Sequence, residues 1–407
     1  MDKEVLEKAK EIMDYTNNTI CNHCLGRKFS NEIEGLTNKE RGELIRKELS
    51  IENPDGKCYI CNNLFDKIND ELYERINQKI NFINLEFDNF LVGSKVPKEI
   101  LKKDEEFDRK FNLDTENIKK EINRTIGLEL EEKLGKTVEF KDNEIVIELN
   151  FNNEEPTVYI QINPIFIEGT YNKYKRGIPQ TKWPCRECHG KGCEYCNYTG
   201  KMYPESVEEI MSDIVIKKTK GRFCKFHGAG REDIDVLMLG DGRQFVLEVV
   251  EPKIRKLNLT ELEKEVNEYA NGKTKYNHLK YCKRNRKGEI KVSSPDAYKI
   301  YEAIVKCENE VDLKDLEILQ SLNLIKQRTP NRVSHRRADK IREKRVLGLN
   351  CEIINPKEFK MTIKTEGGLY IKELISSDEG RTNPSVTGLL NNQCICSQLD
   401  VVEVSKK

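Results

Sequence analysis

The segment FHGAGREDIDVLMLGDGR, residues 226–243, joins a basic loop to an apolar strand and decides the expected architecture of the C-terminal half. It places Arg231, Glu232, Asp233 and Asp235 at the mouth of the predicted strand. The Gly-Asp-Gly between two apolar runs predicts a β-hairpin, because such turns need backbone conformations that glycine adopts readily. Acidic residues before a strand are equally typical of simple turns, so the spacing alone leaves their role open.

Alternating apolar segments continue from this hairpin to the C-terminus. Period-2 patterns predict strands, and 3.6-residue patterns predict helices. Strands are expected at residues 290–294, 299–307, 346–356, 359–367 and 399–404, and helices near residues 259–270, 312–321 and 369–377. Residues 205–407 are therefore predicted to form an α+β domain, with helices packed on a mixed, mainly antiparallel sheet.

The first module, residues 1–66, contains two C-x-x-C pairs separated by a helical stretch. Cys21 and Cys24 form the first pair, and Cys58 and Cys61 form the second. Four thiolates can occupy the corners of a tetrahedron, which is the closed geometry of structural zinc. The alternative is two unrelated turns that carry free thiols.

Residues 67–182 combine charged helical segments with alternating strands such as NEIVIELNF, and predict an α+β module. Its last predicted strand runs into Lys175 and Arg176. A basic, aromatic edge of this kind suits contact with an RNA backbone.

A second cysteine-rich segment, residues 183–204, links the two larger modules. Cys185, Cys188, Cys193 and Cys196 lie within twelve residues, with glycines between them that permit tight turns. A second zinc site is chemically sensible here. Free thiols are the alternative, because the pairs are close together.

Composition describes a very polar chain of 407 residues with 34% charged residues and a net charge of zero. No apolar run approaches the roughly 20 residues that a bilayer requires, and the N-terminal segment lacks the apolar core of a signal peptide. A cytoplasmic protein with no membrane partner is therefore expected. Reduced thiols in that compartment favour metal binding over disulfides for the fourteen cysteines.

Basic residues are clustered even though the net charge is zero. Residues 217–231 contain six Lys or Arg and no acid, and residues 326–345 contain nine against two acids. Within the second cluster His335, Arg336 and Arg337 are candidates for gripping an RNA arm. A solvated charged face is the alternative interpretation.

Three motifs occur in the order typical of pseudouridine synthases. GREDIDVLMLG resembles their catalytic loop, KIYEAIV at residues 299–305 resembles the K-x-Y-x-A-x-V motif, and GLYIKEL at residues 368–374 resembles the third motif. With the leading cysteine pairs, PIFIEGTYNKYKRGIPQTKWPC and RVSHRRADKIREKRV, nearly the whole chain resembles the THUMP-containing tRNA pseudouridine-54/55 synthases of archaea and eukaryotes, and is expected to be an archaeal member.

The resemblance implies a role for five residues. Asp233 would be the essential carboxylate, and Arg231, two residues before it, would bind the substrate. Lys372 would pair with it, Tyr301 would stack on the target base or lie under its ribose, and Tyr370 would lie close to the pocket. Residues 67–182 would be a THUMP-type RNA-binding domain.

The implied partner is the T-arm of tRNA, with structural zinc, no organic cofactor and no obligatory protein partner. A methyltransferase or thiolation enzyme on the same RNA-binding module would need a glycine-rich cofactor loop or a pyrophosphate-binding loop. Neither is visible. A non-catalytic zinc protein that binds RNA explains the cysteines and basic clusters, but leaves Asp233, Tyr301 and Lys372 unexplained.

Overall fold

A computed structural model describes residues 2–293 and 298–405, leaving aside the side chains of Ser293 and Arg336. The chain divides into two compact units, with the boundary between Asn163 and Pro164. We expected a boundary between residues 182 and 183. The reason for the difference lies in the pairing of one strand, described below.

The first unit is a helical module joined to a small mixed sheet. Strand β1 lies between β2 and β3 and runs parallel to both, whereas β3 and β4 are antiparallel. The elements of this unit are α1 (Lys3–Tyr15), α2 (Asn22–Arg27), α3 (Asn38–Leu49), α4 (Asp70–Ile83), β1 (Asn89–Lys95), α5 (Lys98–Phe111), α6 (Ile118–Leu134), β2 (Thr137–Val138), β3 (Ile145–Asn150) and β4 (Thr157–Ile162).

The cysteine-bearing N-terminal part and the following α+β part share one hydrophobic core. Buried side chains from α1, such as Ile12, belong to the same cluster as Phe90 of β1 and Ile122 of α6. The expected module of residues 1–66 is therefore packed into the first unit and does not form a compact unit by itself.

The second unit is built on one large sheet in which, among the described strands, β7 and β14 are the parallel pair. Its order is β13-β10-β11-β12-β9-β14-β7-β5-β8, and β6 pairs with β7. The expected α+β class with a mainly antiparallel sheet is confirmed. The elements of this unit are β5 (Ile165–Lys173), α7 (Val207–Thr219), β6 (Phe223–Gly228), β7 (Leu237–Val250), α8 (Leu259–Ala270), β8 (Thr274–Tyr281), α9 (Arg286–Ser293), β9 (Tyr298–Cys307), α10 (Leu313–Ile318), β10 (Leu324–Arg328), β11 (Ile341–Asn355), β12 (Glu358–Glu366), α11 (Ile371–Ser376), β13 (Thr382–Asn383), α12 (Val386–Leu390) and β14 (Cys394–Val404).

Strand β5 moves the boundary between the units. It is antiparallel to β7 and to β8, with Ile167 opposite Leu247 and opposite Tyr281. Ile167 is fully buried in the core of the second unit. A strand that we assigned to residues 67–182 is therefore an inner strand of the C-terminal sheet.

Two local predictions differ from the structure. The Gly-Asp-Gly segment makes a bulge inside the single strand β7 and not a hairpin, and Gly240 and Gly242 take φ values of +56° and +77°. A Cβ on Gly240 would lie 2.1 Å from the Val402 carbonyl oxygen, so the close approach of β14 also requires glycine.

Residues 290–293 are helical, as the end of α9, where we predicted a strand. Ile290 of this helix is buried against Phe166 and Val246. Tertiary packing on the sheet thus decides the conformation over the local preference of the β-branched residues. The predicted helix at residues 259–270 is confirmed as α8.

Candidate active site

A cleft of about 980 Å³ opens in the second unit and combines many cations with one carboxylate. Asp233 is the sole acid among its described lining residues. Aromatic and backbone surface is supplied by Tyr301, Tyr370, Phe226 and the glycines at 367 and 368. The cations that line the cleft are Arg231, Lys291, Lys299, Arg332, Arg337, Arg342 and Lys344.

Asp233 lies on the short connection between β6 and β7, and a buried lysine fixes its main chain. Lys173 is fully buried at the end of β5. Its ammonium group donates to the carbonyl oxygens of Ile178 at 2.9 Å, Asp233 at 3.0 Å and Ile234 at 3.1 Å. Burial lowers the pKa of Lys173 from its usual value. Two of its three N–H donors therefore hold the loop that presents Asp233, and the third bonds the segment that follows β5.

The neighbouring residue, Glu232, points into the protein and anchors the loop from below. Its carboxylate accepts hydrogen bonds from the Tyr171 hydroxyl at 2.8 Å and from Arg243 Nε at 2.9 Å. Arg243 also donates to the Ala229 carbonyl oxygen at 2.9 Å, and Gln180 donates to the Gly230 carbonyl oxygen at 3.0 Å. Burial, reinforced by Glu232, raises the pKa of Tyr171 well above its usual value, so its hydroxyl remains a donor.

Arg332 is the cation closest to the Asp233 carboxylate. Its Nη1 lies 2.9 Å from the carboxylate, and its Nε pairs with the buried Glu373. The ring centroid of Tyr370 is 5.8 Å from the same guanidinium group. Sequence reasoning missed this residue. It lies in the basic run 326–345, but no local pattern links it to Asp233, 99 residues away.

Lys372, which the motif paired with Asp233, contacts a different carboxylate more closely. Its Nζ lies 2.7 Å from Asp235 and 3.6 Å from Asp233. Burial alone would raise the pKa of Asp235, but the hydrogen bond and the charge of Lys372 outweigh it, and the pKa lies below its usual value. Lys372 therefore bridges the two acids, and the close partner of Asp233 is Arg332.

Tyr301 and Lys299 face the cleft together because they lie two residues apart on β9. Tyr301 is 9% exposed, and burial raises its pKa to about 12. Burial, reinforced by the charge of Arg243, lowers the pKa of Lys299 to about 7. The cleft thus holds a neutral phenol and a lysine that titrates near neutrality.

The residues predicted to bind RNA differ in their surroundings. Lys175, His335 and Arg337 are exposed, and Arg337 also lines the cleft. Arg176 is half-buried, pairs with Asp400 at 2.6 Å and donates to the Leu399 carbonyl oxygen at 3.0 Å. The side chain of Arg336 lies outside the described residues. Arg231 lines the cleft beside Asp233, and its guanidinium group lies 5.1 Å from the Trp183 ring centroid.

Each cysteine cluster brings four sulfur atoms within 4.8 Å of one another. A zinc ion bound by four thiolates at about 2.3 Å implies sulfur–sulfur distances of about 3.8 Å. The distances are 3.7 Å for Cys21–Cys61, 3.9 Å for Cys185–Cys193 and 3.8 Å for Cys188–Cys196. Both predicted ligand sets therefore have the dimensions of a zinc site and can hold the metal.

Backbone amides donate hydrogen bonds to sulfur atoms in both cysteine clusters. In the second cluster, Gly192 N donates to Cys188 Sγ at 3.1 Å, and Gly200 N donates to Cys196 Sγ at 3.2 Å. In the first, Cys21 N donates to Cys58 Sγ at 3.3 Å. Such bonds stabilise thiolate charge, as metal ligands require.

Within the described residues, no helix combines the length and the apolar character needed to cross a bilayer.

Comparison with known proteins matches both units. Residues 166–405 fit the family model "Pus10, C-terminal", and residues 73–150 fit "Pus10 THUMP domain, archaeal". Two proteins named tRNA pseudouridine synthase Pus10 are similar throughout. The one from Methanothermobacter marburgensis is 48% identical over 99% of both chains, and the one from Methanosphaera stadtmanae is 44% identical over 98% of both.

Among solved structures, a Cbf5–Nop10–Gar1 complex matches 49% of this chain and 45% of its own, with a TM-score of 0.29 and 16% identity, and no conclusion rests on it. The family models cover most of the chain, and the relatives match it from end to end. The chain therefore belongs to the Pus10 family of tRNA pseudouridine synthases, isomerases that convert uridine in tRNA to pseudouridine.

Proposed function

We propose that Asp233 is the catalytic carboxylate with which this enzyme isomerises uridine at position 54, position 55 or both in the T-loop of tRNA. The observation that carries the proposal is the isolation of Asp233. It is the sole acid among the described residues of a cleft lined by seven cations. A polyanionic substrate is attracted to such a cleft, and one carboxylate is left to react.

The chemistry requires no redox step and no organic cofactor. The N1–C1′ bond of uridine breaks, the base rotates, and a C5–C1′ bond forms. The proton on carbon 5 leaves, and nitrogen 1 gains a proton, so atoms and electrons balance. A carboxylate can assist as a nucleophile at the sugar or as a base at its 2′ carbon.

The surroundings of Asp233 support this role. Arg332 at 2.9 Å and Lys372 at 3.6 Å supply positive charge beside its carboxylate. Tyr301, which is 9% exposed, offers a ring on which the flipped base can stack, and Tyr370 lines the same cleft. Stacking offsets part of the few kcal/mol that extruding a base costs.

The T-arm is proposed to bind through the exposed cations. Lys175, His335 and Arg337 are accessible for phosphate contacts, and Arg231 would act inside the cleft. Arg336 belongs to the same basic run. Arg176 was proposed with them, but its bonds to Asp400 and Leu399 favour a structural role.

The test compares two neighbouring acids in tritium release from carbon-5-labelled tRNA. Asp233→Asn should lose more than about a thousandfold in turnover, because an amide is a poor nucleophile and base, with tRNA affinity within a few-fold. Asp235→Asn is the control and should keep turnover. Equal turnover of both variants at the wild-type rate would contradict the proposal. Transcripts that carry only one of the two uridines would identify the modified position.

We further propose one structural zinc ion in each cysteine cluster, in a reduced, cytoplasmic protein. The sulfur–sulfur distances and the amide donors support both sites. Metal analysis of Cys21→Ala/Cys24→Ala and of Cys193→Ala/Cys196→Ala should show the loss of one equivalent each. Unchanged zinc content in either variant would contradict that site.

A further inference from the structure

The second cysteine cluster lies in a compact loop, residues 183–204, that carries surface features which metal binding does not need. A bridge between Pro184 and Lys201 closes the loop. Tyr195 is 56% exposed, and Tyr203 packs edge-on against Trp183, with ring centroids 5.5 Å apart. We call this segment the knuckle.

A pocket of about 480 Å³ opens on the knuckle, separate from the catalytic cleft. Its described lining includes the rings of Tyr195 and Tyr203 with Met202 and Pro204, and polar groups of Asn197 and Thr199. Its volume lies within the about 300–1,000 Å³ typical of small-molecule sites. Apolar and aromatic surface with a few polar groups suits the face and edge of a nucleobase.

Charge on the knuckle favours a nucleic acid as the occupant. The guanidinium group of Arg186 lies 5.6 Å from the Tyr195 ring centroid. Lys182 and Lys191 are exposed nearby in sequence, whereas Lys201 pairs with Glu209 at 2.6 Å. Cations beside an exposed ring combine phosphate attraction with stacking, which is how proteins hold unpaired nucleotides.

The knuckle is also continuous with the active site. Trp183 contacts the ring of Tyr203, which lines the pocket. The guanidinium group of Arg231 lies 5.1 Å from the ring centroid of Trp183. Arg231 lines the catalytic cleft with Asp233. Arg231 therefore lies between the catalytic cleft and the first residue of the knuckle.

We propose that the knuckle is a second RNA-binding site, which holds one unpaired nucleotide of the tRNA by stacking it on Tyr195. The proposal relies on the family assignment for tRNA as the substrate, and it does not depend on the role of Asp233. The ring of Tyr195, next to Arg186, is the principal contact.

The matched control is Tyr198, which lies on the same knuckle and is 72% exposed but does not line the pocket. Tyr195→Leu should raise the Kd for unmodified tRNA about tenfold and raise KM with an unchanged kcat, because stacking with one base is lost. Tyr195→Phe and Tyr198→Leu should bind like the wild type. Equal Kd values for Tyr195→Leu and Tyr198→Leu would overturn the proposal.

A direct measurement uses Trp183, the one tryptophan of the sequence. A single-stranded oligouridylate should quench its fluorescence in the full chain and in Tyr198→Leu, and a 12-base-pair RNA duplex should not. The quenching should be absent in Tyr195→Leu at unchanged zinc content. If Tyr195→Leu lost zinc, the test would use the wild-type protein and Tyr195→Phe. In either protein, no quenching by the oligouridylate, or equal quenching by the oligouridylate and the duplex, would overturn the proposal.

Discussion

Each compact unit buries an ionic network, and the two networks differ in charge balance. In the first unit, Arg27 pairs with Asp104 at 2.6 Å and with Glu121 at 2.9 Å, and Lys28 pairs with Asp104 at 2.7 Å and with Asp108. Two cations there face three carboxylates, so this network has an excess of negative charge. They connect the cysteine-bearing N-terminal part to helices α5 and α6.

In the second unit, two buried cations share one buried carboxylate. Arg243 pairs with Glu232 at 2.9 Å, whereas Lys173 is 4.0 Å from it and is bonded mainly to carbonyl oxygens. The excess positive charge lies directly beneath the loop of Asp233. The comparison teaches that the network rich in carboxylates joins parts of a fold, whereas the network rich in cations lies beneath the loop that carries the carboxylate of Asp233.

The largest effect is expected from Arg27→Leu. This change leaves Asp104 and Glu121 buried without their main counter-charge, and should lower the free energy of unfolding by about 3–5 kcal/mol. Arg75→Leu, which removes a partly exposed pair with Glu155, is the control and should cost less than about 1 kcal/mol. Urea titration measures both, and similar losses would break the comparison.

A smaller effect is expected when the charge of Glu232 is removed without changing its shape. Glu232→Gln should lower kcat about 10- to 100-fold, since the hydrogen bonds from Tyr171 and Arg243 that anchor the loop of Asp233 then end on a neutral amide, with tRNA affinity within a few-fold. Glu121→Gln, in the other network, should cost stability and leave kcat unchanged. Tritium release measures kcat, and a loss of kcat in both variants would contradict the distinction.

The last effect, which is the smallest over any one pH unit, is a pH dependence caused by Lys299. Its pKa falls from 10.5 in the unfolded chain to about 7 in the fold, so between these values the native protein binds fewer protons than the unfolded one. Stability should therefore rise with pH across that window, by at most about 1.4 kcal/mol per pH unit, and be lost as pH falls toward 7. Lys299→Met should remove this contribution. Identical slopes of unfolding free energy against pH in both proteins would contradict it.

Local patterns predicted the parts of the molecule whose partners are close in sequence. The second cysteine cluster spans twelve residues, and helix α8 begins and ends where its periodicity indicated. Motif resemblance placed Asp233 and Tyr301 in one cleft, where both are found. Their roles in the reaction stay predictions.

Long-range pairing explains what the sequence could not predict. A strand pattern such as that of β5 is the same whichever sheet it joins, so the boundary at residue 163 was not visible. Lys173 looks like an ordinary basic residue at a strand end, and its role follows from carbonyl groups 60 residues away. Arg332 is likewise one of nine cations in residues 326–345, and nothing in the sequence distinguishes it as the partner of Asp233.

The three hydrogen bonds of Lys173 have a consequence for how the substrate is brought to reaction. With two of its ammonium donors bound to the carbonyl oxygens of Asp233 and Ile234, the main chain that carries the carboxylate cannot move toward the target without breaking them. Reorganisation therefore falls on the nucleic acid, which must unstack its uridine and deliver the sugar to a stationary group. Unstacking costs more free energy for a uridine held firmly in a helix than for one in a strained or loosely stacked loop. The rigidity of the enzyme therefore selects substrates by how easily they deform.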